Sequence, residues 1–305
     1  MPRPNHQYLN QGRVMNYETK AVEVTFEDGT KGEMELQFPI KEKSKVCIVG
    51  CASSKDIVPW GDKDTEFWGV NNLYGIELEG AHYDRWFEIH NIWSTPGTDN
   101  LIRRGSADFR GQPVLEYLQG LAKLDICIYM QKHWPELIPK SVPLPIEDMV
   151  QWFLAKGLPL DQCRYITNTI SYEIALAIYL GFKEIQVWGV DMAVGTEYEH
   201  QRPSCEFWLG VARGMGINVV IPAQADLLKT RFVYGFEEKQ HDLWRDKVEK
   251  VRVDMKLKRL RLQQRHAQDE QAIQQYIGGE QVAQELNKLW VNEHSDDLMF
   301  TKRGC

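Results

Sequence analysis

The residues with the most chemistry to offer cluster in a few short stretches. "YDRWFEIHNIW" carries Asp84, Arg85, Glu88 and His90 within seven positions, interleaved with aromatic and aliphatic residues. In an extended strand, alternation places Asp84, Trp86, Glu88 and His90 on one face. Charges on a buried strand need partners or a task. An ion pair of Arg85 with Asp84 or Glu88 is one reading; catalysis is the other. His90, where the stretch ends, is a candidate general base. A second group lies in "VGTEYEHQRPSCEFW". There Tyr198, His200 and Arg202 offer an acid/base group and an anion clamp. A solvent-exposed loop histidine is the plainer account of His200.

Three further stretches offer ligand-binding groups. "VCIVGCASS" runs four apolar residues into Gly50, then Ser53 and Ser54. Successive amides and hydroxyls in such a turn can hold a phosphate, and Ser54 as a helix N-cap explains them equally well. Asn71 and Asn72 follow "EFWGV" and offer both donors and acceptors for a base or ribose. Thr169 heads the apolar stretch "ISYEIALAIYLG" with Thr167, Asn168 and Ser171. This is an anion site or a capping cluster. Gly189 and Asp191 end "EIQVWGVDM", where a glycine admits a ligand and an acid suits a ribose diol or a metal ion.

The elements that must position these groups form an α/β pattern. "KVCIVG", "EFWGVNN", "YDRWFEIH", "DICIYM", "EIQVWGVDM" and "NVVIP" read as short strands. "PVLEYLQGLAK", "PIEDMVQWFLAKG", "SYEIALAIYLG" and "CEFWLGVARGMG" read as the helices between them. Alternation of this kind predicts a mainly parallel, Rossmann-like sheet with helices on both faces. Ligands then bind beyond the carboxyl ends of the strands, where the groups above fall. Residues 45–236 make this nucleotide-binding domain. Residues 1–44 precede it with an Asp28-Gly29 hairpin, expected as an edge ribbon or interaction arm. Residues 237–305 follow as a helical extension. Trp244, Val248, Val251, Met255 and Leu262 keep a heptad-like seam, which Lys258 interrupts. A second short helix is expected after Gly278-Gly279.

Charge and cysteine usage narrow the classes. The chain of 305 residues has 36 Lys and Arg against 43 Asp and Glu, a net charge of -7. Non-specific nucleic-acid binding is not favoured by that balance. Residues 239–265 alone hold ten Lys/Arg and four Asp/Glu, or +6. A solvated helix that pairs with itself or with a protein partner explains that run, and nucleic-acid contact is the alternative. Six cysteines without a C-x-x-C pair read as buried thiols of a reducing compartment. The start "MPRPNHQYLNQGR" has no apolar core, and no apolar run is long enough for a bilayer. A cytoplasmic, non-membrane protein is expected.

Taken together, residues 45–236 resemble a group of variant Rossmann-type proteins. It includes bacterial lipooligosaccharide sialyltransferases and hydroxymethylpterin pyrophosphokinase-like proteins. The resemblance rests on "VGCASS", "WGVNN", "TNTISYEIALAIYLG" and "FKEIQVWGVD". "DRWFEIH" and "EYEHQRPSCE" resemble a family of bacteriophage proteins more closely. The resemblance implies a cytidine or uridine nucleotide-sugar donor bound by Gly50, Ser53, Asn71 and Asn72, with Thr169 and Asp191 matching the helix start and the acidic strand end. It implies that Tyr198 supports departure of the phosphate. Cys51 stands where the sialyltransferases usually have Asn. The expected activity is a nucleotide-sugar-dependent glycosyltransferase acting on phage DNA or another phage component, in the host cytoplasm if the chain is phage-encoded. Its donor phosphates would meet Ser53 and Arg202, and His200 or His90 would deprotonate the acceptor. Two alternatives stand: ATP-dependent pyrophosphoryl transfer with Mg²⁺ on Asp191 and Asp84 or Glu88, and a non-catalytic nucleotide-binding or assembly protein.

Overall fold

The computed structural model describes residues 15–25, 30–94, 101–103, 105–109, 111–192, 200–230, 233, 236 and 240–299. The chain divides into two compact units, Met1–Thr230 and Arg231–Cys305. The first is built on a seven-stranded, wholly parallel sheet. Its strands are β3 (Lys45–Val49), β4 (Thr65–Val70), β5 (Arg85–Glu88), β10 (Cys127–Met130), β11 (Ser141–Pro143), β12 (Glu184–Trp188) and β13 (Asn218–Val220). They lie in the order β11-β10-β5-β4-β3-β12-β13. The chain therefore moves outward from β3 in one direction, then returns to the other side of β3 at β12. That reversal is the topological switch point, where α/β sheets open a crevice for ligands.

Alternation along each strand explains the two-sided core. Val46 and Ile48 face one apolar cluster with α2 (Ile146–Ala155), α4 (Thr169–Tyr179) and α5 (Arg202–Gly214). Cys47 and Val49 face the other, which includes Val114, Tyr117, Leu118 and Leu121 of α1 (Val114–Ala122). A strand buried on both faces reads as a continuous apolar run, as "VCIV" does. Short α3 (Leu160–Cys163) leads into α4. Two small ribbons, β6 (Ile92–Ser94) with β7 (Leu101–Arg103) and β8 (Asp108–Phe109) with β9 (Gln112–Pro113), lie between β5 and α1.

The amino-terminal ribbon pairs β1 (Tyr17–Thr25) with β2 (Lys31–Pro39) in antiparallel register. Asp28 and Gly29 lie outside the described residues. The ribbon is its own two-stranded sheet. It is nevertheless packed into the core, because Val24, Leu36 and Phe38 join the cluster around Val46 and Ile48. Cys47, Cys127, Cys163 and Cys205 are buried thiols. Among the described residues no helix is long and apolar enough to cross a membrane.

In the second unit, Gln240–Met299 form one helix, α6, of 60 residues. The expected break at Gly278-Gly279 does not occur. Two glycines cost a helix only about 1 kcal/mol each, and good helix formers flank them on both sides.

Candidate functional site

At the carboxyl end of β5 the structure assembles a polar cluster inside an apolar shell. The alternation of "RWFE" sends Trp86 and Glu88 toward α1, and Arg85 and Phe87 toward the other face. Glu88 is completely buried. A buried carboxylate is tolerable only with a full set of donors. Arg103 of β7 supplies Nε at 3.2 and 3.1 Å from the two carboxylate oxygens. The Tyr117 hydroxyl, from α1, donates to Oε2. The backbone N–H of His90 donates to Oε1 at 3.1 Å, and its ring Nδ1 lies 2.6 Å from the same oxygen. Burial pushes the Glu88 carboxyl up, but the His90 hydrogen bond and the Arg103 charge outweigh it and hold the group below the ordinary glutamate range. Arg103 itself is stacked 3.8 Å over the Phe109 ring.

Two groups compete for Nδ1 of His90. Glu88 Oε1 at 2.6 Å is satisfied when Nδ1 carries the proton, and Arg103 Nη2 at 2.5 Å, a donor only, is satisfied when it does not. In the neutral ring with the proton on Nδ1, Nε2 is the acceptor, and among the described residues it has no hydrogen bond. The His90 side chain is 18% exposed. An imidazole so oriented by a buried carboxylate is the arrangement of a general base.

The neighbouring strand end adds polar groups. Asn71, after β4, adopts a left-handed conformation with φ 53°. Its N–H donates to Phe87 O at 3.1 Å and its carbonyl accepts the Trp86 indole N–H at 3.0 Å. Arg103 Nη2 lies 3.4 Å from Asn71 Oδ1. The Oδ1 of Asn72 is buried without a hydrogen-bond partner among the described residues. A ligand N–H or O–H would satisfy it.

At the switch point itself the glycines and hydroxyls expected to meet a phosphate contact one another and Asp191. Gly50 N–H donates to Trp188 O at 2.8 Å, and Ala52 N–H to Gly189 O at 2.7 Å. A Cβ on Gly50 would stand 2.4 Å from Gly189 O, and one on Gly189 would stand 2.3 Å from Gly50 O. The two glycines are therefore required by each other, not by a ligand approaching the backbone. Ser54 Oγ accepts the Gly189 N–H at 2.7 Å and donates to Asp191 Oδ1 at 2.9 Å. Ser53 Oγ donates to Asp191 Oδ2 at 3.1 Å. Both hydroxyl protons thus go to Asp191, which pins the turn after β3 to the end of β12. Gly50→Val is therefore expected to lose the fold along with any ligand. Thermal denaturation should show a drop of several kcal/mol, because the obstruction is backbone.

Other predicted residues are occupied elsewhere. Arg202 is engaged within the fold through Nε and Nη2. Its Nε donates to Glu206 Oε1 at 2.8 Å and Nη2 to the carbonyl of Asp226 at 2.6 Å, tying α5 to the turn that follows β13. Asn168 caps α4 by accepting Ser171 N–H at 2.9 Å, and Ser171 Oγ accepts from Ser204 Oγ at 2.8 Å. The hydroxyl-rich start headed by Thr169 is thus knitted to α5, and Thr169 is buried. His200 is exposed, and its backbone carbonyl faces Thr167 Oγ1 at 3.4 Å. Tyr198 lies outside the described residues. Asp84 precedes β5, at the amino edge of the sheet, where Oδ2 accepts Phe67 N–H at 2.8 Å and pairs with Lys43 at 3.2 Å. It cannot share an ion with Asp191, which lies at the carboxyl edge. Arg85 pairs with Glu66 across the strand boundary at 2.8 Å, not with Asp84 or Glu88, because alternation places those two on the opposite face. Among the described residues no group of three or more His, Cys, Asp or Glu is disposed to hold a metal ion.

The comparisons with known proteins come from solved structures. The sialyltransferase CstII from Campylobacter jejuni, in complex with cytidine-5′-monophosphate, is similar at 15% identity and TM-score 0.39, over 63% of this chain and 89% of that one. CstII with CMP-3FNeuAc gives 15%, 0.37, 64% and 90%. The monofunctional α-2,3-sialyltransferase Cst-I from the same organism gives 12%, 0.38, 72% and 98%. No family model matches the chain, and no curated protein matches its sequence. At these values the solved structures assign no residue of this chain a role.

Arg103 and Tyr117 complete the cluster and were not singled out from the sequence. Arg103 sits in "LIRRG", which has no periodic pattern, and Tyr117 reads as an ordinary core residue of an amphipathic helix. Glu88 carried the only signal, as a charge on a buried strand that needs several donors.

Proposed function

We propose that this protein is a glycosyltransferase that uses a nucleotide-sugar donor, with His90 as the base that deprotonates the acceptor hydroxyl. One observation supports this: His90, 18% exposed after the carboxyl end of β5, has Nδ1 2.6 Å from a buried carboxylate, and in the tautomer that donates to it Nε2 is the acceptor. The switch point lies two strands away, about 10 Å at the usual strand spacing. That span suits a donor whose nucleotide end lies along the Asn71–Asn72 edge and whose sugar reaches His90. Asn72 Oδ1, buried and unsatisfied, would accept from the nucleotide. In the step itself, Nε2 takes the acceptor proton as its oxygen bonds to the anomeric carbon. The carbon–oxygen bond to the donor phosphate breaks, and the nucleotide leaves with that electron pair. Glu88 compensates the imidazolium that forms. The motif resemblance favours a cytidine nucleotide.

The pyrophosphokinase reading loses support because Asp84 lies at the wrong edge and Glu88 is committed to Arg103, Tyr117 and His90. A thermal-shift series tests the proposal. CMP and CMP-sugars should raise the melting temperature, and a ligand at 100 times its Kd contributes about 2.7 kcal/mol. Stabilisation by ATP only when Mg²⁺ is present would favour the kinase. Binding without release of CMP from any CMP-sugar would favour a non-catalytic nucleotide-binding protein.

A further inference from the structure

The long helix carries a symmetry that a single chain does not use. From Val248 to Leu286 a seam in alternating steps of three and four residues spans twelve positions, with Lys258, Arg265 and Asp269 as its charged members. Nine of these are apolar or small. The large ones are exposed, from 49% at Val248 to 81% at Tyr276. The alternation reads the same in both directions about Ala267. Charge divides at the same point. Residues 240–265 hold nine Lys/Arg and four Asp/Glu, or +5; residues 266–299 hold one and seven, or -6. Basic residues toward the amino end and acidic ones toward the carboxyl end are the reverse of what a lone helix's macrodipole favours.

We infer that α6 pairs with α6 of a second copy as an antiparallel coiled coil centred on Ala267. In that register each core position of one copy meets its mirror position in the other. Val248 meets Leu286 at the ends of the seam; inside it Val251 meets Ala283, Met255 meets Gly279, and Leu262 meets Ala272, so a large side chain faces a small one in these three layers. Arg265 meets Asp269, which explains two of the charged residues in the seam. Lys258 meets Tyr276, whose ring can cover the lysine stem while the ammonium stays in water. Gly279 acquires a purpose, because the helix keeps it despite its cost and Met255 needs the room. The basic half of each helix lies along the acidic half of the other. A parallel pair would instead set Arg265 against Arg265, Asp269 against Asp269, and +5 against +5. Flanking and core charges of this kind set coiled-coil orientation.

The test uses the full chain and measures mass in solution by light scattering or sedimentation. The native chain should be a dimer. Arg265→Glu places two acids in each central layer and Asp269→Lys places two bases there. Each variant alone should dimerise about tenfold more weakly or worse, at unchanged helix content by circular dichroism. A 1:1 mixture of the two should recover the dimer as a heterodimer. Arg265 and Asp269 are also four apart on one helix, but mixing leaves that intrahelical pair broken, so recovery arises only between chains. A monomeric native chain would overturn the inference. So would variants that keep the native affinity, or a mixture no tighter than its components.

Discussion

His90→Ala should lower the rate of CMP release from a CMP-sugar in the presence of acceptor by about 10²–10⁴-fold, with CMP affinity little changed. General-base assistance contributes that much, on the order of 3–5 kcal/mol of barrier, and it acts in the transition state more than in binding. His200→Ala is the internal comparison and should leave the rate within about a factor of two, since among the described residues no hydrogen bond orients that ring. Glu88 is a positioning residue, and its test needs a readout that simple destabilisation would not move. In Glu88→Gln the amide can donate to Nδ1 and so select the other tautomer, with the proton on Nε2. Turnover should then fall at neutral pH even in molecules that remain folded, as judged by their melting transition and CMP binding. If His200→Ala abolishes turnover and His90→Ala keeps it, the base belongs to the loop before α5 and the proposal fails.

The contrast between these two histidines shows what was legible in the sequence. Six of the seven sheet strands were visible because they are short runs rich in apolar residues; β11, three residues long and holding Ser141 and Pro143, was not. The helices between them were visible from spacing and length. His90 and His200 were candidates because both sit at the carboxyl edge of the sheet. Choosing between them required Arg103 and Tyr117, which approach Glu88 from β7 and α1, 15 and 29 residues further along the chain. Donors from such distances leave no spacing signature. The switch-point turn was ambiguous for a different reason. "VGCASS" has the composition of a phosphate turn, and the same composition serves a turn that must fit under another glycine and bond to Asp191. Small residues record that space is scarce, and they do not record what fills it. Arg202 is a similar case, since its partners are two backbone carbonyls beyond β13 that no side-chain pattern reveals, together with Glu206 one turn along. The seam along α6, by contrast, is readable in the sequence, because its spacing lies within a single helix.

Glu173→Met should stabilise the protein, and by a margin that grows with pH. Glu173 lies in the apolar stretch of α4, has no exposed surface, and has both carboxyl oxygens without a hydrogen-bond partner among the described residues. Burial alone drives its pKa well above 4.5. The ionisable groups whose charges couple to it are the buried thiols of Cys47 on β3 and Cys205 on α5; burial pushes both thiols up, and Glu173 adds to that direction. Neither supplies a compensating cation. An acid whose folded pKa is raised favours the fold fully only while it is protonated in both states. Above the unfolded value of 4.5 the unfolded chain ionises and the folded chain does not. Stability then falls by up to about 1.4 kcal/mol per pH unit until the folded group also ionises. Methionine keeps the length, packs with the surrounding aliphatic residues, and removes both the titration and the unsatisfied oxygens, which themselves cost about 1–3 kcal/mol. Urea unfolding at pH 5, 6.5 and 8 measures the outcome. The parent should lose stability relative to Glu173→Met across that range, with the smallest gap at pH 5 and the widest at pH 8. A gap that stays constant with pH, or a variant less stable than the parent at pH 8, would mean that the carboxylate is compensated in solution by a cation or a ligand.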